Sequence, residues 1–432
     1  MYTKRRIFIL SLLFMGLGHI VVLKQYAKGI FYALCEVVFI VFLPQIIRNL
    51  HGLYTLGEAQ PDLPLRLRDN SLFFMVDGVL TLAFIALFIG IYAISVRGAL
   101  TAFREFEISG RLPKEKGVWD TLTTGAFPVV ALAPTILLIL FFVVVPLVFA
   151  AMVAFTNYSV PHHIPPGNTI DWVGLDNFRF MFGEHALWQG ALVRVALWTV
   201  TWAALATFTC YVGGFIMANV MTHANVKIAP FFRPILILPY AVPGVVSMLV
   251  WSNMLNGTFG VVNRTLLHLG ILNTGIPWLS EVGWARFTMV AVNLWLGFPY
   301  FMLLTTGAMT AVGAELFEAA KIDGASSFQV MRRITLPLVI YQTAPLIVMS
   351  FTHNINNFGA VFFLTGGGPG MADTTITSAG GTDIMVSWIF NLVINLNQFH
   401  YASVLAVMIF VTLAPFAVFN FMRTRSFREG EL

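Results

Sequence analysis

The stretch LFEAAKIDGASSFQVMRRITLP, residues 316–337, stands between two long apolar runs and decides how the chain is interpreted. The runs before and after it, at 287–309 and 339–361, are each long enough to cross a bilayer, which needs about 20 apolar residues. The stretch itself belongs in water because it carries Glu318, Lys321, Asp323, Arg332 and Arg333. The sequence therefore predicts a structured loop that joins two membrane spans.

The composition of the chain supports this interpretation over its whole length. The 432 residues are 58% hydrophobic and only 10% charged, whereas a soluble domain carries about 25% charged residues. We therefore predict an all-α, polytopic membrane protein. The net charge of +5 is explained by basic cytoplasmic loops, so no nucleic-acid partner is expected. Cys35 and Cys210 both fall in apolar runs and have no metal-ligand spacing, which indicates packing residues.

Eight apolar runs are predicted to span the membrane, and they define the transmembrane organisation. Their approximate bounds are 29–47, 71–96, 128–153, 194–220, 235–256, 287–309, 339–361 and 401–422. A ninth, weaker segment at 7–23 has basic residues on both sides, so spanning would leave one basic cluster outside. For this segment we favour an interfacial or re-entrant course.

The distribution of basic residues predicts the orientation of these spans. Lys and Arg cluster in 97–116, 223–233, 316–333 and the C-terminal tail. The loops at 157–190 and 361–399 are poor in them. Because cytoplasmic loops are enriched in Lys and Arg, we predict that both termini lie in the cytoplasm. The charged stretch at 316–337 then lies on the cytoplasmic side.

The local pattern of the charged stretch predicts two short helices joined by a turn. Gly324 allows a sharp bend, either Ser326 or Ser327 can cap the second helix, and Pro337 fits the entry to the next span. A compact helical unit of this kind indicates docking to another protein. The alternative is an amphipathic linker on the lipid headgroups, and the pattern alone favours neither.

The same stretch resembles the EAA loop of ABC-importer permeases. The matching residues are Glu318, Ala319, Ala320, Gly324, Ile334, Leu336 and Pro337. The resemblance implies a type I importer permease with a core of six helices, whose EAA loop couples to an ATPase through Glu318, Ala319, Ala320 and Gly324. The chain has no G-x-x-x-x-G-K-[ST] motif. We therefore expect no catalytic residue, metal or cofactor on this chain, with ATP and Mg²⁺ used by a separate subunit.

Two polar stripes on the spans that flank the charged stretch form the candidate substrate site. Asn293, Leu296, Gly297 and Tyr300 have i, i+3, i+4, i+7 spacing, and Ser350, Asn354 and Asn357 have i, i+4, i+7 spacing. Amides and a hydroxyl can bind sugar hydroxyls, an aromatic ring can stack on a sugar, and the absence of Arg and Lys suits a neutral ligand. Polar residues of this kind also hold membrane helices together, and that alternative remains open from the residues alone.

From about residue 125 onward the chain resembles the larger permease subunit of maltose/maltodextrin ABC importers. The matching segments include LPYAVPG at 238–244, NLWLGFPY at 293–300 and NINNFGAVFFLTGGGPG at 354–370. The resemblance implies that the seven stripe residues hold the sugar, with Ser247 as a further contact, although Gly244 is a rival match. It also implies a permease domain at 121–432, with its coupling loop at 315–337, preceded by accessory membrane segments at 1–120.

The resemblance further implies the partners and the location of the protein. The expected partners are a second permease subunit, an ATPase dimer, an extracellular solute-binding protein and an oligosaccharide, in the plasma membrane of a bacterium. The external stretch at 156–190 is too short for a folded domain, so docking of the binding protein would rely on loops. The oligosaccharide would cross by alternating access to a site near the membrane midplane.

Other functions remain as alternatives at this point. The nearest is an ABC permease for another neutral oligosaccharide. A membrane-bound transferase would need carboxylates or histidines at the membrane face, and an ion-driven transporter would leave the EAA loop unexplained. Glu36 is an acid at membrane depth, and we expect it to pair with a nearby basic group rather than to take part in transport.

Overall fold

A computed structural model describes residues 3–110, 127–223 and 229–422. These residues are almost entirely helical, and the described ranges contain one isolated β-bridge, between Thr156 and Trp172. Within these ranges, seven helices are long and apolar enough to cross a membrane, or eight if one bent pair is a single span. The prediction of an all-α polytopic protein with about eight spans is confirmed.

The chain forms two compact units, residues 1–174 and 175–432. The first unit contains α1 (Lys4–Leu13), α2 (Tyr26–Thr55), α3 (Ser71–Ser109), α4 (Phe127–Ile139) and α5 (Val145–Val153). A π-helical turn at Leu140–Val144 joins α4 to α5. The helix α3 continues past the predicted span limit of 96, so Arg97 and Arg104 lie on a helix. Arg111, Lys114 and Lys116 of the predicted basic loop lie outside the described residues. The division into 1–120 and 121–432 stays a prediction.

The N-terminal segment turns back and does not cross the membrane as one helix. After α1 the backbone turns at Gly16, which has a φ of +89°, and continues into a π-helix at Gly18–Val22. Ile7 from the first arm and Leu23 after the second pack in the same hydrophobic cluster. The re-entrant course expected for 7–23 agrees with this geometry.

The expectation that Glu36 pairs with a basic group is wrong. Its carboxylate accepts a short hydrogen bond from the backbone N–H of Met15, in the turn that follows α1. A backbone N–H freed by a turn at membrane depth must find an acceptor within the protein. Glu36 supplies that acceptor, and this explains an acid in an apolar helix.

The second unit contains the remaining helices. They are α6 (Asp176–Arg179), α7 (Ala186–His223), α8 (Ala229–Ala241), α9 (Gly244–Met254), α10 (Val261–His268), α11 (Val282–Thr310), α12 (Ala314–Ile322), α13 (Ser327–Val330), α14 (Leu336–Ile355), α15 (Phe358–Phe362), α16 (Thr374–Thr377), α17 (Met385–Ile394) and α18 (Phe399–Met422). Lys227 and the arginines of the C-terminal tail lie outside the described residues.

The predicted span 235–256 is broken near its middle. The helices α8 and α9 meet at an angle of 89°. Pro243 immediately precedes α9 with a ψ of 125°, outside the helical range, and its ring nitrogen has no hydrogen to donate. Pro239 and Gly244 flank the break. Pro239 lies inside α8, two residues before its end, and Pro243 is the N-cap residue of α9, so the predicted single span is two helices.

The predicted span 339–361 is also two helices. The helix α14 ends at Ile355, where Asn356 leaves the helical geometry with a φ of −105°. Asn357 then caps α15, its side-chain oxygen accepting from the backbone N–H of Ala360 at 3.3 Å. Asparagine is among the preferred residues at a helix N-cap, so a local capping preference ends the longer helix here.

The helix α7 is the centre of the second unit, since it packs along α11 and α14. Close approach to α11 depends on Gly214, where an added Cβ would come within 2.6 Å of the Met302 backbone nitrogen. Trp202 and Trp198 of α7 lie in the main buried cluster with Met248 of α9 and Met289 of α11. Small residues that allow backbones to approach closely are typical of packing between membrane helices.

Candidate functional site

Asn293 faces α7 and is buried, with 8% of its surface exposed. Its side-chain amide donates to the Cys210 sulfur at 3.4 Å, and the Cys210 thiol donates to the Asn293 backbone carbonyl at 3.4 Å. Among the described residues, no group donates to the side-chain oxygen of Asn293. The NH2 group of the amide therefore ties α11 to α7, and the side-chain oxygen can still accept a hydrogen bond.

Gly297 lies one turn further along α11, against the same cysteine. An added Cβ would come within 2.7 Å of the Cys210 sulfur, closer than a carbon and a sulfur can approach. A larger residue at this position would therefore force the Cys210 side chain or the two helices to shift. Its expected role as a sugar contact stays a prediction.

Asn354 makes the corresponding contact from α14. Its side-chain amide donates to the Thr207 hydroxyl at 3.0 Å, and its backbone carbonyl accepts from the Trp202 indole at 3.1 Å. Like Asn293 it is buried, and its side-chain oxygen accepts no hydrogen bond from the described residues. Thr207 and Cys210 are three residues apart on α7, so the structure brings Asn293 and Asn354 to one turn of that helix.

Asn357 does not share a helical face with Asn354, so that part of the predicted stripe is wrong. The predicted i, i+3 spacing of Asn354 and Asn357 assumed one continuous helix, but α14 ends at Ile355, two residues before Asn357. Ser350 lies inside α14, four residues before Asn354, and is half-buried. Its place on the stripe agrees with the prediction.

The remaining predicted contacts lie around α11. Leu296 packs against the main buried cluster, and Ser247 is buried on α9. The Tyr300 ring is 37% exposed and lies 6.1 Å from the ring of Tyr240 on α8. Tyr300 thus has an exposed aromatic surface, which stacking on a sugar requires, and lies beside a second aromatic ring.

Sequence reasoning missed the contribution of α7. Thr207 and Cys210 orient both amides, and the signal available was two small polar residues with i, i+3 spacing inside an apolar run. A cavity of about 560 Å3 lies beside Thr207, between α7, α14 and α18. Most of its lining is apolar and includes Phe208, Ile347 and Phe351. That apolar lining offers little to sugar hydroxyls and makes the cavity a poor sugar site.

A second polar cluster, also missed, lies where the loop before α17 meets α7 and α11. Arg194 on α7 donates to both carboxylate oxygens of Asp373, at 2.9 and 3.0 Å. On α11, Arg286 donates from Nε to the Gly381 carbonyl at 2.9 Å, and its guanidinium lies 4.3 Å from the centre of the Trp198 ring. Arg194 donates to Asp373 from one nitrogen, Nη1, and its Nη2 donates to the Ala379 carbonyl at 3.1 Å, so a charged pair and a stacked guanidinium together hold the loop in place.

Asp383 is the buried centre of that loop. Its carboxylate accepts from the Gly380 backbone at 2.7 Å, from the Ser387 hydroxyl at 2.6 Å and from the Asn391 amide at 3.2 Å. Burial raises the pKa of the Asp383 carboxyl above its ordinary value, and the hydrogen bonds only partly oppose this. The group is therefore a structural acid whose charge is costly.

The charged loop at 315–337 has the two-helix form that its sequence predicted. Gly324 has a φ of +72°, and Ser326 caps α13 through a reciprocal pair of hydrogen bonds with Gln329. Ala320 is buried against its own chain, whereas Glu318 and Ala319 are exposed. The loop thus presents Glu318 and Ala319 outward from a rigid support.

A family comparison assigns the greater part of the second unit. Residues 210–427 match the family described as "Binding-protein-dependent transport system inner membrane component". This range begins at Cys210 and includes the coupling loop, all the predicted sugar contacts and α18.

Individual relatives extend the similarity over nearly the whole chain. The galactooligosaccharides permease GanP of Bacillus subtilis is 34% identical over 407 residues, which are 94% of each chain. The maltodextrin permease MalC of Streptococcus pneumoniae serotype 4 is 32% identical over 425 residues, 95% of this chain and 94% of MalC.

A solved structure shows the same fold. It is a bacterial alginate ABC transporter in complex with a periplasmic protein bound to an alginate pentasaccharide. The match has a TM-score of 0.57 at 21% identity and covers 72% of this chain and 99% of the other. The chain therefore belongs to the inner-membrane permeases of binding-protein-dependent ABC importers, in the carbohydrate branch that includes the maltodextrin permeases.

Proposed function

We propose that the protein is a permease subunit that imports maltodextrin-type oligosaccharides by alternating access. The observation that carries this proposal is the pair of amides, Asn293 and Asn354, held at one turn of α7 with both side-chain oxygens unused by the described residues. Sugar hydroxyls can donate to such oxygens. Neither amide has a charged side chain as its hydrogen-bond partner, which suits a neutral sugar.

The similarity to maltodextrin permeases supports this choice of substrate, but a second candidate has comparable support. GanP, named for galactooligosaccharides, is 34% identical over 94% of the chain. Both ligands are neutral chains of hexoses, and the same amides could bind either. Linkage and ring orientation would then decide which sugar also stacks on Tyr300.

The proposed coupling runs through the loop at 315–337. A separate ATPase dimer would use ATP and Mg²⁺, and Glu318 and Ala319 lie exposed where such a partner could bind. A second permease subunit would complete the pathway, and an extracellular solute-binding protein would deliver the sugar. Under this proposal both termini lie in the cytoplasm, and the enrichment of Lys and Arg in the corresponding loops supports that orientation.

Uptake of labelled sugars by cells with the complete transporter tests the substrate. We expect maltotriose uptake by the wild type and none by Asn354→Ala, with ATPase activity still stimulated by the binding protein. Ser350→Ala, which removes a hydroxyl on the same helix, serves as a graded comparison. If the wild type takes up a galactooligosaccharide and ignores maltotriose, the substrate proposal is wrong and the permease assignment stands.

A pair of adjacent alanines tests the coupling role. Ala319→Leu enlarges an exposed position and should weaken ATPase binding while leaving the thermal stability of the permease unchanged. Ala320→Leu enlarges a buried position and should lower that stability through overpacking by about 1–3 kcal/mol. Equal effects of both variants on ATPase binding and on stability would contradict the proposal.

A further inference from the structure

Residues 3–25 form an N-terminal hairpin in the first unit. Its first arm runs along α3, and its second arm returns to the level of α3 at which the first arm began. Ile7 on the way in and Leu23 on the way out both pack with Ala99 and Phe103. At the far end, the Tyr92 hydroxyl donates to the Leu12 backbone carbonyl at 2.9 Å. The open ends of both arms therefore lie beside Ala99 and Phe103, and the end of the first arm lies beside Tyr92.

The depth of the hairpin follows from helix geometry. Tyr92 and Phe103 are 11 residues apart on α3, or about 16 Å at a rise of 1.5 Å per residue. The hydrocarbon core of a bilayer is about 30 Å thick. The predicted span on α3 ends at residue 96, so Tyr92 lies only about 6 Å inside that limit and Phe103 lies outside it. The hairpin thus stays in the outer part of one leaflet and leaves on the side where it entered.

The tip of the hairpin is fixed by contacts with α2. An added Cβ at Gly16 would overlap the Gly29 carbonyl oxygen, so the two backbones lie in direct contact. The Glu36 carboxylate accepts the Met15 backbone N–H. On the inner side His19 bonds to Gln25 at 2.9 Å and to the Ser95 backbone carbonyl at 3.2 Å. The hairpin is a built element of the fold.

The hairpin is apolar on its outer surface and basic at its base. The exposed apolar side chains are Phe8, Ile9, Leu12, Leu13 and Val21. The basic side chains at the two ends and on the adjoining turn of α3 are Lys4, Arg5, Arg6, Lys24, Lys28 and Arg104. Because the hairpin returns, its N-terminal and C-terminal cations meet at one membrane face. The acids on the last turns of α3 are Glu105 and Glu107, and cations outnumber them.

We propose that the base of the N-terminal hairpin binds the headgroup of an anionic phospholipid. The apolar outer surface lies at the depth of the acyl chains and the cations at the depth of the phosphates, which is the distribution of an element that rests in one leaflet. Clusters of Lys and Arg beside a membrane helix attract anionic headgroups. A protein partner could contact the base but would leave the apolar arm, which lies inside the membrane, without a role.

Hydrogen–deuterium exchange on the full chain in nanodiscs tests this inference. Phosphatidylglycerol is titrated into phosphatidylcholine discs, and protection of the backbone at 3–25 gives an apparent dissociation constant. We expect the double variant Arg5→Gln/Lys24→Gln, with one cation lost from each end, to weaken binding by about thirtyfold. The charge-keeping variant Arg5→Lys/Lys24→Arg should bind like the wild type.

A matched control removes two exposed cations from the same unit at a distance from the hairpin. Arg48→Gln/Arg66→Gln should leave the dissociation constant within twofold of the wild type value. The inference is overturned if phosphatidylcholine alone protects 3–25 as well as phosphatidylglycerol does. It is also overturned if the control and hairpin variants weaken binding equally, since the effect would then be one of net charge.

Discussion

The side-chain amide of Asn354 donates to the Thr207 hydroxyl at 3.0 Å, and this bond ties the last turn of α14 to the middle of α7. The other end of the same amide, its side-chain oxygen, accepts nothing from the described residues. Packing and the proposed ligand binding would therefore use different atoms of one residue. Substitution of each partner in turn can separate the two roles.

Thr207→Val keeps the shape of residue 207 and removes only the acceptor of the Asn354 amide. We expect a loss of about 0.6–1 kcal/mol in the free energy of unfolding, typical of a hydrogen bond between membrane helices. Maltotriose uptake should be reduced but retained, because the Asn354 side-chain oxygen is still present while its amide loses the contact that orients it. Asn354→Ala should abolish uptake at a similar cost in stability. Thermal unfolding and uptake assays on the two variants, side by side, measure this difference.

Uptake at the wild-type level by Asn354→Ala would show that Asn354 only packs. In that case the sugar would have to bind elsewhere on the chain or on the companion subunit.

Gly297→Ala should destabilise the contact between α7 and α11. The added Cβ would lie 2.7 Å from the Cys210 sulfur, and overpacking of this kind costs about 1–3 kcal/mol. Cys210→Ala removes the sulfur, so the double variant Gly297→Ala/Cys210→Ala should recover most of the loss. Unfolding midpoints in detergent measure the recovery. A double variant that is less stable than both single variants contradicts the packing role given to Gly297.

Arg194 and Asp373 should behave as a coupled pair. Removal of one member leaves a largely buried charge without its partner, and such losses reach about 3 kcal/mol. We therefore expect Arg194→Gln and Asp373→Asn each to destabilise the second unit, and the double variant to be no worse than either. A double-mutant cycle of unfolding free energies gives the coupling. Strictly additive losses would mean that the pair contributes little.

Arg179 and Asp176 provide the matched control for that cycle. Their bond is 3.2 Å long, but both side chains are about two-thirds exposed. We expect no measurable coupling for this exposed pair.

The buried Asp383 carboxyl predicts a fall in stability as the pH rises. Its pKa in the folded protein is raised above the ordinary value of 3.8, so the folded state binds the proton more tightly than the unfolded state. The free energy of unfolding should therefore decrease from about that ordinary value up to the raised pKa. Asp383→Asn should lower stability, because an NH2 group replaces one of the two oxygens that accept from Gly380, Ser387 and Asn391, and should flatten the pH dependence. Unfolding midpoints across acidic pH test both effects.

The coupling loop shows what local sequence can predict. Gly324 needs a positive φ, and Ser326 with Gln329 forms a reciprocal cap, and both depend only on neighbours within a few residues. The break between α8 and α9 was not predicted, since the apolar pattern indicated one span at 235–256. Pro239 and Pro243 marked its place, but the 89° angle depends on what each half packs against.

The candidate site shows where sequence periodicity ends. Asn293 and Asn354 were found from their spacing, but their hydrogen-bond partners Cys210 and Thr207 lie on another helix more than 80 residues away along the chain. Asn357 was misplaced because its capping preference, a local effect, ended the helix that the apolar pattern seemed to continue. The partner of Glu36 was missed for a related reason, since a backbone N–H leaves no trace in the sequence.

The returning course of the N-terminal hairpin has a consequence for membrane insertion. A segment that enters and leaves at one membrane face does not cross the bilayer. It therefore does not change the direction in which the helices after it cross. Residues 3–25 can therefore be lost or exchanged without reversing the direction in which α2 and α3 are threaded. An ordinary first span would not have this property, because its removal would invert each later helix or force one to stay out of the bilayer.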